Sequence, residues 1–366
     1  MASGEKPSVW LKTIGVHQFR NLEPMEIGLS ERFNVFAGKN AQGKTSLLEA
    51  VYLLSSSRVL RASRDVEAIQ QGFETASVKG ELEPTGTELG FDLANGRRKR
   101  ALVNGIGLPR ASDLIGRLPA VCFWSGDLAL ATGEPADRRL MLDTELSQIF
   151  PGYLKAFAGF KRALQQRNAL LKQAQDQFVA DEVFEGWESQ MSVSGEQMRK
   201  YRNDWVDLLK PIAAETHGFM GRGENLELGY SVRESGELAE LYSTQRRREI
   251  SRGATLFGPH RDDLDISIDG RPVRQFGSQG QQRTAVISLK LAVLHTAQKT
   301  LGFPPLLLLD DIFSDLDIDR RAKLVEAAMR AGGQVFITCT ESSQAGDSLI
   351  GAAKVFRVES GRLEEE

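Results

Sequence analysis

The chain has 366 residues, 41% hydrophobic and 26% charged, which suits a globular protein of one large α/β domain plus a second lobe. Its 46 Lys and Arg against 49 Asp and Glu give a net charge of −3, which excludes a polycation, so any contact with nucleic acid must come from a local basic surface. Two distant cysteines, Cys122 and Cys339, exclude a disulfide framework and a Cys-based zinc site, and the absence of a long apolar run predicts a cytoplasmic protein with no membrane segment.

In chain order, residues 1–8 are polar and read as a flexible tail. Residues 13–19 and 32–37 read as strands. The second runs into Gly38, Lys39, Asn40, Ala41, Gln42, Gly43, Lys44, Thr45 and Ser46. After this loop Leu47, Leu48, Val51 and Leu54 share one helical face. Asn104-Gly105 between apolar residues predicts a tight hairpin. From 137 to about 210 the chain is rich in Leu, Gln, Arg, Lys and Glu; Leu154, Phe157, Leu164 and Leu171 recur at helical spacing, and Trp187 and Trp205 read as core of the same helical lobe. Strands return after 251, with a hairpin at Asp269-Gly270. A helix is predicted over 281–298, a buried strand over 306–309, a helix over 318–330 and a core strand over 335–338. The fold class is therefore α/β, with one domain (9–136 and 251–366) split by a helical second lobe (137–250).

Three motifs carry chemistry. Residues 38–45 fit the phosphate-loop pattern G-x-x-x-x-G-K-[ST] at every fixed position. The glycines let backbone N–H groups curl around phosphates, and the new helix adds its positive end. Lys44 then supplies charge between the terminal phosphates, and the Thr45 hydroxyl can ligate Mg²⁺. The second motif is Leu306-Leu307-Leu308-Leu309-Asp310-Asp311, an apolar strand ending in acids. Asp310 is expected to hold Mg²⁺, and Asp311 to orient or deprotonate the attacking water. The third is Ser278-Gln279-Gly280-Gln281 at a helix start, a second anion site that a partner subunit can offer to the γ-phosphate.

Here the chain resembles a known class. Ser278 to Gln281 look like the signature motif of ABC-type P-loop ATPases, and Ser314, Asp315, Leu316 and Asp317 look like their D-loop. Within that class the details resemble the RecF family: Phe19-Arg20-Asn21, Arg138-Arg139, Leu142-Asp143, the run Leu-Gln-Gln-Arg-Asn-Ala-Leu at 164–170, and Gly258-Pro259-His260-Arg261. The resemblance implies an ABC-type ATPase head with mixed sheets, in which two heads sandwich two ATP molecules. It implies a DNA-binding repair ATPase of the SMC/Rad50-like superfamily, with weak DNA-stimulated hydrolysis. Such a protein acts on duplex DNA and single-strand gaps with RecR and RecO to load RecA, in replication and the SOS response to DNA damage. An SMC- or Rad50-type chromosome-organising head is the alternative, disfavoured by an insertion too short for a long coiled coil.

Some features depart from the class. Asp311 stands where many relatives carry Glu, and no histidine follows the strand at 335–338; Thr338 or Thr340 is the candidate replacement. No glutamine sits at 121–127, where Ser125 or Asp127 takes its place. Of Arg58, Arg61 and Arg64, which read equally as a solvated loop or as a phosphate contact, Arg61 is the phosphate contact that the resemblance favours. Two basic clusters, 97–100 and 246–248, read as solvated surface first and DNA phosphate contacts second. His260 reads as a structural hydrogen-bonding residue.

Overall fold

The computed structural model describes residues 8–61, 64–221 and 223–366, without the side chain of Asp315. The flexible tail expected at 1–8 therefore lies almost wholly outside the described residues. Internal contacts divide the chain into two units, 1–127 with 287–366 and 128–286.

The first unit holds two sheets. One is antiparallel and begins with Met25–Gly28, Trp10–His17, Thr75–Glu83 and Thr87–Ala94, continuing through the short strands Arg100–Val103 and Ile106–Gly107. The other runs Arg362–Glu365, Ala353–Glu359, Phe33–Ala37, Val335–Cys339, Leu306–Asp310 and Ala120–Phe123; all but the first are parallel to their neighbours. The strands Phe33–Ala37, Leu306–Asp310 and Val335–Cys339 are buried at every residue, as apolar runs covered on both faces must be. The helix Lys44–Ser56 packs on both sheets, so even Glu49, Ser55 and Ser56 are buried with its leucines. Asn104 and Gly105, with φ of 50° and 74°, make the expected tight hairpin turn.

The second unit is mainly helical: Pro135–Ile149, Pro151–Gln173, Asp181–Met220, Leu238–Thr244 and Arg246–Arg252. It also carries a three-stranded sheet of Arg271–Pro272, Asp263–Ile268 and Leu226–Ser231. The strand at 226–231 lies inside the segment expected to be helical. It pairs along its whole length with Asp263–Ile268, and this draws 251–286 into the lobe rather than the split domain where the sequence placed them. The second boundary falls within the helix Gln279–Leu301, not at 250/251.

In Pro151–Gln173 the buried face is Tyr153, Ala156, Phe160, Ala163, Arg167 and Leu171, one residue round from the expected leucine stripe. The reason is charge. Arg167 is fully buried, with its guanidinium on Glu188 at 2.9 Å and on the Thr255 hydroxyl at 3.0 Å. Arg202 is equally buried against Asp143 (2.6 Å), the Pro259 carbonyl (2.6 Å) and the Tyr153 hydroxyl (2.9 Å). Arg199 grips Asp262 in a two-point contact, and Arg138 does the same to Asp263. Most of the segments that carried the family resemblance in this lobe thus build one set of buried ion pairs, where losing a single partner is costly. Trp205 is core and Trp187 is half-buried.

His260 belongs to the same lobe. Its Nε2 lies 3.1 Å from the Thr255 carbonyl oxygen, and burial pushes its pKa down from 6.5 to about 4. The unfolded chain takes up a proton below pH 6.5 that the folded chain refuses until about pH 4. Stability from the neutral ring is therefore complete above pH 6.5 and is lost as pH falls toward 4. Between pH 7 and 4.5 the parent protein should lose about 2 kcal/mol more unfolding free energy than His260→Gln. Equal losses in denaturant titrations at the two pH values would place the responsible proton elsewhere.

Candidate nucleotide site

The parallel sheet brings three strand ends together. Asp310 and Thr338 are register partners on adjacent strands, and Cys339 is partner to Ala37, the last residue before the phosphate loop. Loops at the C-terminal ends of such strands are where α/β sheets bind ligands.

The loop is held from two sides. On one side Gly38 faces the strand Ala353–Glu359 so closely that a Cβ would sit 2.2 Å from the Val358 carbonyl oxygen. Gln42 accepts the Gly361 N–H on its own carbonyl at 2.9 Å and the Ser360 N–H on its side chain at 2.6 Å. On the other side Asn21 donates to the Ala41 carbonyl at 3.1 Å and accepts from the Ser46 hydroxyl at 2.7 Å. Its neighbour Arg20 makes a two-point contact, 2.9 Å at each nitrogen, with the buried Glu49. Phe19 anchors this segment in the core. Sequence reasoning singled out Phe19-Arg20-Asn21 only as a family mark. The signal it lacked is Glu49, a charge on an otherwise apolar helix face that needs a cation beside it.

Gly43, at φ 115°, turns the chain into the helix that starts at Lys44. The Lys44 ammonium is buried and donates to the carbonyls of Gly38 (2.5 Å) and Lys39 (2.9 Å). Burial lowers its pKa, and the nearby Asp311 opposes that more strongly than Asp310 does. Asp310 Oδ1 accepts from Thr45 Oγ1 at 2.9 Å and from Thr338 Oγ1 at 2.8 Å. Burial raises its pKa, while those two hydroxyls and the charge of Arg61 pull it back. Thr45 and Asp310 thus present two hard oxygen donors side by side. That fits Mg²⁺, which takes one or two protein ligands and completes its shell with phosphate and water. No cluster of three or more His, Cys, Asp or Glu that would form an all-protein metal cage occurs among the described residues.

Asp311 sits at φ 50°, with its N–H on the Thr338 hydroxyl at 2.9 Å. Its Oδ1 is buried with no hydrogen-bond partner among the described residues. A buried acceptor left open is costly unless something else uses it, and a general base needs one.

The remaining candidates separate. Arg61 binds Glu49 through its backbone N–H (2.9 Å) and more weakly through its side chain (3.4 Å), and acts electrostatically on Asp310. Arg58 is exposed, and Arg64 pairs with Glu67. Thr338 is committed to Asp310 and Asp311, whereas the Thr340 hydroxyl donates to Gln344 at 3.1 Å. Ser125 is exposed just past the strand Ala120–Phe123, and Asp127 accepts from the Trp124 N–H at 3.0 Å. In the D-loop, Ser314 donates to the Asp311 carbonyl at 2.8 Å and Asp317 caps the helix Ile318–Arg330, while Leu316 is buried. The side chain of Asp315 lies outside the described residues.

The signature lies in the second unit. The Ser278 N–H donates to Gln281 Oε1 at 2.7 Å, and the Gln281 N–H donates back to Ser278 Oγ at 3.3 Å. This reciprocal capping box starts Gln279–Leu301 and leaves Ser278 and Gln279 exposed. Of the basic cluster at 246–248, Arg246 is buried on Glu188 and Asp181, so it is structural; Arg247 and Arg248 are exposed.

No protein-family model matches the chain. It is 41% identical to the DNA replication and repair protein RecF of Symbiobacterium thermophilum, over 91% of this chain and 92% of that one. It is 36% identical to the protein of the same name from Halalkalibacterium halodurans, over 96% and 98%. Among solved structures, the recombination mediator protein RecF-ATP of the RecFOR pathway superposes over the full length of both chains with a TM-score of 0.90 at 29% identity. An Smc head domain from Pyrococcus furiosus superposes over 98% of this chain and 96% of its own at 14% identity, with a TM-score of 0.57, a likeness of fold. The α/β head with mixed sheets and a helical second lobe is the architecture of an ABC-type ATPase head.

Proposed function

Since the chain belongs to the RecF family of DNA replication and repair proteins, we propose that it is an ATP-gated DNA clamp. Its two heads would close on ATP, hold DNA and reopen on slow hydrolysis. The observation that carries the nucleotide part is the convergence of the Lys44 ammonium, the Thr45–Asp310 pair and the open Asp311 oxygen at neighbouring strand ends.

In this reading the loop N–H groups and Lys44 bind the β- and γ-phosphates. Thr45 and Asp310 would hold Mg²⁺, which supplies charge neutralisation on the phosphates. Asp311 accepts a proton from, or orients, the attacking water; its side chain is one methylene shorter than Glu, which favours slow turnover. The exposed Ser278 and the helix end behind it reach the γ-phosphate bound by the partner subunit, making a homodimer that depends on ATP. The family further points to gapped DNA as the site of action, RecR as direct partner, RecO and RecA downstream, and a cytoplasmic location. No described helix is long and apolar enough to cross a membrane.

The test is DNA binding with ATP, with ADP and without nucleotide, in the parent protein and in Lys44→Ala. Tight binding with ATP alone is expected, and Lys44→Ala should lose it together with ATP affinity. Binding that ignores the nucleotide would remove the clamp reading.

A further inference from the structure

The basic cluster at 97–100 looks different once folded. An open cleft of about 820 Å³ on the first unit is lined by Arg64, Arg97, Arg98, Lys99, Arg100 and Arg110, with Asp65 as the one carboxylate among the described lining residues. These cations come from three separate stretches of chain: the segment after the phosphate-loop helix, the turn between Thr87–Ala94 and Arg100–Val103, and the residues after the next hairpin. Some are already engaged. Lys99 donates to Asp65 at 3.0 Å, Arg64 pairs with Glu67, Arg110 pairs with Asp113, and Arg100 stands opposite Asp92 in register. Arg97 and Arg98 are exposed and make no ion pair among the described residues. Six cations in one cleft of a chain whose net charge is −3 form a local field that composition does not reveal.

The form of the site selects the ligand class. A pocket for one small anion holds its charged donors buried and converging. Here Arg97, Arg98, Arg100 and Arg110 are all exposed, and the lining between them is apolar, from Leu93, Leu108 and Pro109. Exposed arginines spread along an open cleft suit a ligand whose anionic groups repeat along its length. We infer that this cleft is a contact surface for the phosphate backbone of duplex DNA, with Arg97 and Arg98 as its free cations; the inference rests on the DNA-binding reading above. Lys99 fastens the surface to the far end of the helix that starts at the phosphate loop. Its ammonium donates at 2.5 Å to the carbonyl of Ser57, the residue that ends the helix begun by Lys44.

The experiment is the salt dependence of duplex binding, in the presence of ATP, for the parent and for the double variant Arg97→Gln/Arg98→Gln. Each phosphate contact contributes about 0.9 to the slope of log K against log salt, so the variant's slope should be shallower by about 1.8 for each head on the duplex, about 3.6 for the closed dimer. Both side chains are exposed and unpaired, so ATP affinity and the melting temperature should match the parent, which shows that the fold is intact. A slope change below about 0.9 overturns the cleft assignment while leaving the clamp reading standing. A parent protein that shows no ATP-dependent DNA binding overturns both.

Discussion

Asp311→Asn should slow ATP turnover by about 10²- to 10⁴-fold while ATP still binds. The substitution keeps the size and the backbone tolerance that φ 50° demands, since Asn accepts the left-handed region as readily as Asp. It changes one thing at the open Oδ1 position, replacing an anionic acceptor by an amide that cannot take a proton. It also removes the carboxylate that does most to offset the burial of the Lys44 ammonium, a role the ATP phosphates take over once bound, so ATP affinity should not fall. The variant should therefore accumulate as an ATP-bound dimer, visible by light scattering with ATP and Mg²⁺. Turnover at the parent rate would remove Asp311 from the chemistry.

The second large effect is expected at Ser278, and the capping box decides which variant to make. Ser278→Arg would block an approaching γ-phosphate but also delete an N-cap, at about 1 kcal/mol of helix stability. Ser278→Asp keeps a good cap for Gln279–Leu301 and sets a carboxylate where the partner's γ-phosphate would arrive. Like charges brought together at an interface cost several kcal/mol. ATP-driven dimerisation should consequently fall at least about 100-fold, and hydrolysis with it, with the melting temperature and the ATP affinity of the monomer unchanged. Sedimentation of Ser278→Asp as an ATP dimer indistinguishable from the parent would refute the composite site.

What the sequence disclosed depended on how local the signal was. The phosphate loop is one unbroken pattern, and Asp310-Asp311 end an apolar run, so both were legible and the sheet places them together. Ser278 and Gln281 are three apart and form the box that spacing allows. Asn21 was not legible as a support of the loop, because its partners Ala41 and Ser46 are 20 and 25 residues away. The helical face of Pro151–Gln173 was misplaced because a periodicity reading sends Arg167 to solvent, whereas a partner 21 residues on, Glu188, lets it be buried. The domain boundary moved for a similar reason. The strand Leu226–Ser231 is too short to stand out, and only its pairing with Asp263–Ile268 shows which unit those residues join. The cleft at Arg97 and Arg98 combines weak clusters that mean little one at a time.

The way the phosphate loop is braced sets an order on biosynthesis. Every loop residue expected to touch phosphate lies within 38–46, yet the strand that Gly38 packs against and the N–H groups that hold Gln42 come from 358–361, some 320 residues later. At about 5–20 residues per second, the ribosome exposes the loop roughly 15–60 s before it delivers that brace. A nascent chain should thus carry the whole nucleotide motif for most of its synthesis without a formed nucleotide site. ATP capture is therefore expected only once residues 358–361 have left the ribosome, and ribosome-bound chains halted before Gly361 should not be retained on immobilised ATP.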